Sequence, residues 1–279
     1  MTEGGYRLLG ISPVKDPDKP VISIVTVTFN AEKHLAQALD SILTQDYPNI
    51  ELIVVDGGSQ DQTLDIIRQR EKVIAYWLSE KDKGIYDAMN KGLSRITGDW
   101  VGFKNADDWY ENGAFQILAA CIAKEDAEVF YGDSLSVIQE NPLRTSPFFT
   151  NHFTLGSTPG IDHRSSFVKA GLHKTIPFDL QYRLAADLDV FYRLRKSGAK
   201  FVHIPAFMAC KRYGGASDGT RILKESFAIN VKYRGFLPAV ILRFSAWLKF
   251  LKWKTSNLIL KSLLGSESYH RFKARKLKN

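Results

Sequence analysis

The stretch VISIVTVTFN, from Val21 to Asn30, is an apolar, β-branched run of strand length with little polar alternation, the pattern of a strand buried on both faces. Working outward, Glu32 to Gln45 places Leu35, Leu39 and Ile42 at helical spacing. IELIVVDGGS, Ile50 to Ser59, is a second buried strand ending in a Gly-Gly turn, and Gln62 to Arg70 reads as a second helix. VIAYWLSE (Val73 to Glu80), a helix around Gly84 to Ile96 and WVGFKNADD (Trp100 to Asp108) complete a β-α-β-α-β-α-β alternation. Such an alternation predicts a mostly parallel sheet with helices on both faces.

In open sheets of this kind, ligands bind beyond the carboxyl ends of the strands. The strands here end in Phe29-Asn30, Asp56-Gly57-Gly58, Glu80-Lys81-Asp82 and Asn105-Ala106-Asp107-Asp108. Neither G-x-G-x-x-G nor G-x-x-x-x-G-K-[ST] follows the first strand, which disfavours dinucleotide oxidoreductases and P-loop NTPases. A row of strand-end carboxylates remains, suited to hydrogen-bonding a base or ribose and to coordinating a hard divalent cation. Asp107 and Asp108 stand side by side and repel each other, a cost that a cation relieves. Asn90 falls in a helix interior, where asparagine has poor propensity, so a polar task is expected of it.

Each residue also has a plain structural role open to it. Asp56 fits a turn, Phe29 a strand core, Asp82 and His163 a solvated loop, and Asp107-Asp108 the N-cap of a helix from Asn112 to Lys124. Asp187 and Asp189 fit the first turn of a helix as dipole partners.

With 279 residues, 44% hydrophobic and 24% charged, the chain has material for one large domain or slightly more, and its bulk is not disordered. Cys121 and Cys210 are far apart, with no C-x-x-C and no Cys/His cluster, so neither a disulfide framework nor a thiolate metal site is indicated. The polar opening MTEGGYRLLG and the lack of any run of eighteen apolar residues lead to the expectation of a cytoplasmic protein. The net charge of +8 is unevenly spread. Arg221 to Asn279 holds 14 Lys and Arg against 2 Asp and Glu, whereas the preceding residues hold 24 against 28.

Five segments in order, SIVTVTFN, IELIVVDGGSQDQT, EKDKGIYDAMNKGLSRITGDWVGFKNADD, AADLDVFYRL and KRYGGAS, resemble the family 2 glycosyltransferases of the GT-A fold. The likeness is to bacterial enzymes of exopolysaccharide and O-antigen synthesis, the colanic-acid type in particular. It implies a GT-A catalytic domain (20–217); the Pro/Asp/Lys-rich stretch before it reads as a loose N-terminal arm (1–19), and composition marks a basic helical C-terminal segment (218–279). The likeness further implies that Asp56 and Asp82 contact the nucleotide base, that Phe29 stacks on it beside Asn30, and that Asn90 and Arg95 lie near the diphosphate. Asn105 replaces the first Asp of the D-x-D element and retains the ability to bond the ribose. Asp107 falls at the metal-binding position for Mn²⁺ or Mg²⁺, with Asp108 sharing the ligation. Asp187 takes the place of the general base that deprotonates the acceptor hydroxyl, and a single displacement with one base means inversion. Asp189 points elsewhere on the helix and buttresses the fold. His163, in Asp162-His163-Arg164, lies on the acceptor side, and Lys211 to Ser217 resembles a mobile loop that closes over the diphosphate, with Arg212 on the donor. The Q-x-x-R-W signature of processive relatives is absent.

Beyond Ser217 composition alone speaks. Leu237, Ile241, Phe244, Leu248 and Leu251 form one stripe with basic residues largely opposite, although Phe250 and Trp253 interrupt the pattern. A helix of this kind suits an anionic membrane surface, bringing the site to a lipid-linked glycan acceptor. Packing on the catalytic domain, dimerisation and a solubilising tail are the other uses of such a segment. A nucleic-acid-binding protein using the basic aromatic tail leaves the strand-end carboxylates without a role, so no nucleic acid is expected. A nucleotide-sugar-binding relative without activity is the other alternative.

Overall fold

The computed structural model describes residues 1–137, 145–148, 161–212 and 220–244. The chain enters its sheet through a short strand, β1 (Thr2–Gly4), and then follows the expected alternation: β2 (Ile22–Thr28), α1 (Leu35–Leu43), β3 (Ile50–Asp56), α2 (Thr63–Arg68), β4 (Tyr76–Ser79), α3 (Ile85–Leu93) and β5 (Trp100–Asn105). The four strands β4-β3-β2-β5 are parallel neighbours. Every residue of β2 is buried because the strand has a core on each side. Ile22 and Ile24 pack with Leu35, Leu39 and Ile42 of α1, whereas Val25 and Val27 pack with Met89 and Leu93 of α3. Gly92 lets α3 approach closely, since a Cβ there would lie 2.3 Å from Val25 Cγ1.

The second half adds antiparallel strands to this parallel part. It comprises β6 (Trp109–Tyr110), α4 (Ala114–Lys124), β7 (Val129–Val137), β8 (Thr145–Phe148), β9 (Ser166–Lys169), α5 (Ala170–Thr175), α6 (Ala186–Lys196), β10 (Phe201–Arg212) and α7 (Thr220–Arg234). Among the described residues the order is β1-β4-β3-β2-β5-β9-β7-β10-β6, with β8 on β7. β9 runs antiparallel between β5 and β7, while β7 and β10 are parallel to each other. Helices α1, α2 and α4 cover one face and α3, α5 and α6 the other.

The N-terminal arm is not loose at its start. β1 pairs antiparallel with β4, Tyr6 is buried in the core and Arg7 pairs with the buried Glu51. From Gly5 to Pro20 the arm carries neither helix nor strand. The C-terminal segment starts as part of the same body, because Ile229 of α7 is buried in a small core with Ala185 and Tyr192. Residues 236–244 are helical and expose Phe236, Leu237, Ile241 and Phe244. Leu248, Phe250, Leu251 and Trp253 lie outside the described residues. No described helix is long and apolar enough to cross a membrane.

Candidate active site

The register brings the predicted strand ends into one row. Thr28 pairs with Asp56, Asp56 with Ser79, and Val27 with Asn105, so the loops that follow β2, β3, β4 and β5 leave the sheet side by side. Phe29 is 63% exposed, which removes the strand-core role. Its ring borders Gly57, and a Cβ on Gly57 would lie 3.3 Å from the ring and 2.6 Å from Asp82 Oδ2. The absent side chain therefore lets the Asp82 carboxylate and the Phe29 ring close in on the Gly57 backbone. Asp82 is partly buried, and its Oδ1 accepts the Gly84 N–H at 2.8 Å. Asn30 has φ 47°, the left-handed region that asparagine tolerates, and clamps the facing loop: its N–H donates to Ser59 Oγ and its Oδ1 accepts from Gln60 N–H.

Asp56 differs from what the resemblance implies. It is wholly buried, and its carboxylate accepts from Gly58 N–H, Ser59 N–H, Ser59 Oγ and Ser79 Oγ (2.6 Å), which leaves it building its own turn rather than facing a ligand. Asn90 is likewise committed: its amide donates to Phe178 O at 2.8 Å and accepts from Phe178 N–H at 2.9 Å. The polar task read from its poor helix propensity is real, but it ties α3 to the segment before α6 instead of meeting a diphosphate. Arg95 lies over the Tyr76 ring, at the opposite end of the strands from the ligand-facing row.

At the end of β5 the acidic pair divides. Asp108 is 2% exposed and turned towards Arg164, whose Nε is 3.8 Å away. Burial pushes its carboxyl up to about 6; Asp107 and Asp162 add to the rise, and Arg164 and Lys104 oppose it. Asp107 is the solvent-accessible member, so Asp108 does not share the ligand position equally. The N-cap role also fails, because α4 is preceded by Gly113, which has no side chain. Beneath the pair lies Lys104, fully buried in β5, with Nζ 3.6 Å from the centre of the Tyr110 ring and donating to Trp109 O and Arg164 O. Burial lowers its pKa to about 8.

A divalent cation fits this donor set. Asn105 Oδ1 is buried without a partner beside Asp107, and oxygen donors suit Mg²⁺ or Mn²⁺. No group of three or more His, Cys, Asp or Glu among the described residues could hold a metal alone. One or two carboxylates together with substrate phosphates suffice for such ions.

Asp187 stands in the first turn of α6 with its side chain 23% exposed. Tyr86 OH donates to its Oδ1 at 3.1 Å, Leu188 N–H to the same oxygen at 2.9 Å, and His163 Nδ1 lies 2.9 Å from Oδ2. Burial acts to raise the pKa of this carboxyl, but the hydrogen bond and charge of His163, with the other donors, outweigh it and hold the pKa below the ordinary value. His163 is thus a partner of Asp187 rather than an acceptor contact. Its Nε2 is buried without a hydrogen-bond partner and lines a small cavity with His173, Phe103 and Phe178. The next residue, Arg164, is paired with the buried Asp162 at 2.7 Å and holds that carboxyl well below the usual range against the effect of burial. Asp189 is fully buried against Arg193, Lys232 and Tyr233, a buttress. Arg212, at the end of β10, donates to Gln37 and lies over the Trp109 ring. Tyr213 to Ser217 are outside the described residues. Cys121 and Cys210 are free thiols.

Tyr86, Lys104, Arg164 and Gly57 were not singled out by the sequence. For Lys104 a signal existed, a lysine inside an otherwise apolar strand. Tyr86 carries no local mark.

Residues 23–175 match the family model described as Glycosyl transferase family 2. A PGL/p-HBAD biosynthesis glycosyltransferase of Mycobacterium tuberculosis is 34% identical over 210 residues, covering 71% of this chain and 80% of the relative. Among solved structures, S. aureus TarS 1–349 is similar with a TM-score of 0.61 at 18% identity, over 81% of this chain and 72% of that chain. The same fragment is also known in complex with UDP-GlcNAc. The mannosyltransferase PcManGT from Pyrobaculum calidifontis, in complex with GDP-Man and Mn²⁺, is similar with a TM-score of 0.60 at 17% identity, over 97% and 91% of the two chains.

Proposed function

The chain belongs to glycosyl transferase family 2 and is a glycosyltransferase of the GT-A fold, and on that premise we propose that it moves one sugar from a nucleoside-diphosphate sugar to a hydroxyl of a lipid-linked bacterial surface polysaccharide intermediate, with inversion. One observation carries the proposal. His163 holds Asp187 and the adjacent Arg164 faces Asp108, so a carboxylate suited to deprotonation and the strand end that offers Asp107 to a cation flank one turn.

Asp187 is the general base in this reading. Its depressed pKa keeps it ionised at neutral pH, and positioning compensates for weak basicity, since the hydroxyl proton leaves only as the new bond forms. Tyr86 and His163 fix the carboxylate's orientation. On the donor side Phe29 stacks on the base and Asp82 accepts from its edge, Gly57 lets the two side chains approach each other, and Asp56 and Asn30 hold the loop. A divalent cation, Mn²⁺ or Mg²⁺, bound through Asp107 with Asn105 beside it, supplies neutralisation of the leaving diphosphate. The ligands of the two structural neighbours, UDP-GlcNAc and GDP-Man with Mn²⁺, support a nucleotide-sugar donor and a metal. Arg212 adds positive charge near the end of β10. The exposed apolar residues at 236–244 and the basic run beyond them support peripheral attachment to the anionic inner face of the cell membrane.

A donor screen tests the proposal. UDP-, GDP- and dTDP-sugars are offered with Mn²⁺, scored by thermal shift and by release of nucleoside diphosphate. One nucleotide is expected to stabilise the protein and to be released when acceptor is added; stabilisation by none overturns the reading.

A further inference from the structure

The helix that carries Asp187 begins badly by its own sequence. α6 opens after Arg183-Leu184-Ala185, and its N-cap position is Ala185, which has no side-chain acceptor. The first turn of a helix leaves amide donors unpaired and favours Ser, Thr, Asp or Asn at the cap. The support comes from another helix and acts on the three residues that lead into that turn, the cap residue included. Glu225 of α7 accepts the N–H groups of Arg183 (3.2 Å), Leu184 (2.8 Å) and Ala185 (3.0 Å) through its two carboxylate oxygens. A carboxylate at this end of the helix also faces the positive pole of its dipole.

The helix that brings Glu225 is itself anchored on α6. Lys232 Nζ and Tyr233 OH donate to the buried Asp189 at 3.0 and 2.8 Å, Tyr192 OH donates to Asn230 Oδ1 at 2.6 Å, and Ile229 is wholly buried against Ala185 and Tyr192. The carboxylate is therefore delivered to three successive amides by a rigid element, two residues before Asp187.

We propose that Glu225 is the positioning residue for Asp187, capping α6 in trans so that the base keeps its place against His163 and Tyr86. The inference rests on the reading of Asp187 as the base. Without the cap the first turn loosens, and a displacement on the order of 1 Å at a reacting group costs about 100-fold in rate. The basic C-terminal segment then starts with a helix that belongs to the catalytic apparatus.

The test uses the full chain. Glu225→Gln keeps the size of the side chain but offers one acceptor oxygen and turns donors towards donors, whereas Glu225→Asp keeps the charge. Lys224→Gln, an exposed neighbour on the same helix, is the control, and Asp187→Asn tests the premise. Glu225→Gln is expected to lower kcat by roughly 10- to 100-fold with donor KM unchanged and the thermal shift on nucleotide binding retained. Glu225→Asp recovers part of the loss, and Lys224→Gln behaves as wild type. If Asp187→Asn is inactive while Glu225→Gln keeps kcat within about twofold, the positioning role is overturned. Loss of donor binding in parallel with kcat also overturns it, because it reveals general damage. Full turnover by Asp187→Asn sinks the base assignment and this inference with it.

Discussion

The rim formed by β2 to β5 and the region around α6 hold their carboxylates in opposite ways. Asp56 is satisfied by Gly58 and Ser59 of its own turn and by Ser79 of the adjacent strand. Asp187 is satisfied by Tyr86, 101 residues earlier, and by His163, 24 residues earlier, while keeping part of its surface open. A carboxylate saturated by its own loop is committed to shape. One oriented by remote side chains and left accessible is available for chemistry.

The most severe test of that contrast is a pair of isosteric changes. Asp187→Asn should lower turnover by about 10²- to 10⁴-fold with the melting temperature little changed. Asp56→Asn should instead cost about 2 kcal/mol of stability, read by denaturant unfolding, because buried donors lose their charged acceptor. A collapse of turnover in Asp56→Asn at unchanged stability would break the comparison. Next in size is a pH effect on the α5 side. Burial lowers the pKa of His173 to about 4, so the folded state keeps it neutral while the unfolded chain protonates near its ordinary value. Stability is then complete above about pH 6.5 and falls as the pH drops from there towards about 4, by about 3 kcal/mol in total. His173→Phe, set between Phe103 and Phe178, should flatten that dependence in thermal melts across this range.

Phe29→Ala sharpens the donor side. Stacking of one base on an aromatic ring is worth about 1–3 kcal/mol, so donor KM should rise roughly 5- to 150-fold with kcat little affected. An unchanged KM would remove the ring from the nucleotide site. Smallest is the displacement of an acid limb. Asp187 has a depressed pKa, so activity persists below the ordinary carboxylate range and is lost as the pH falls through the depressed value. His163→Asn removes the leading cause of that depression and should move the acid limb of kcat to higher pH, read from a kcat profile across the acid range.

Much of the scaffold was legible because its signals are local. The apolar runs of β2 and β3 and the spacing of Leu35, Leu39 and Ile42 need no partner to be recognised. β1 was not, since Thr-Glu-Gly carries no strand pattern and becomes a strand only against the edge of β4. The insertion of β9 between β5 and β7 was equally hidden, because four residues state no direction. At the site, sequence alone supplied the strand-end carboxylates, and the family likeness singled out Asp187. Which carboxylates face outward could not be read, since that depends on remote groups: Arg164 and Lys104 draw Asp108 inward, and Ser79 helps to consume Asp56. Asn90 shows the limit from the other side, where poor propensity announced a polar task and only tertiary contact revealed the partner as the Phe178 backbone.

The pairing of Thr2–Gly4 with Trp77–Ser79 has a practical consequence. Those three residues occupy the outer hydrogen-bonding groups of β4, which would otherwise be an open template for other chains. Removing those residues would leave the catalytic rim intact yet uncover that border, so a chain shortened past Gly4 should lose solubility before it loses specific activity.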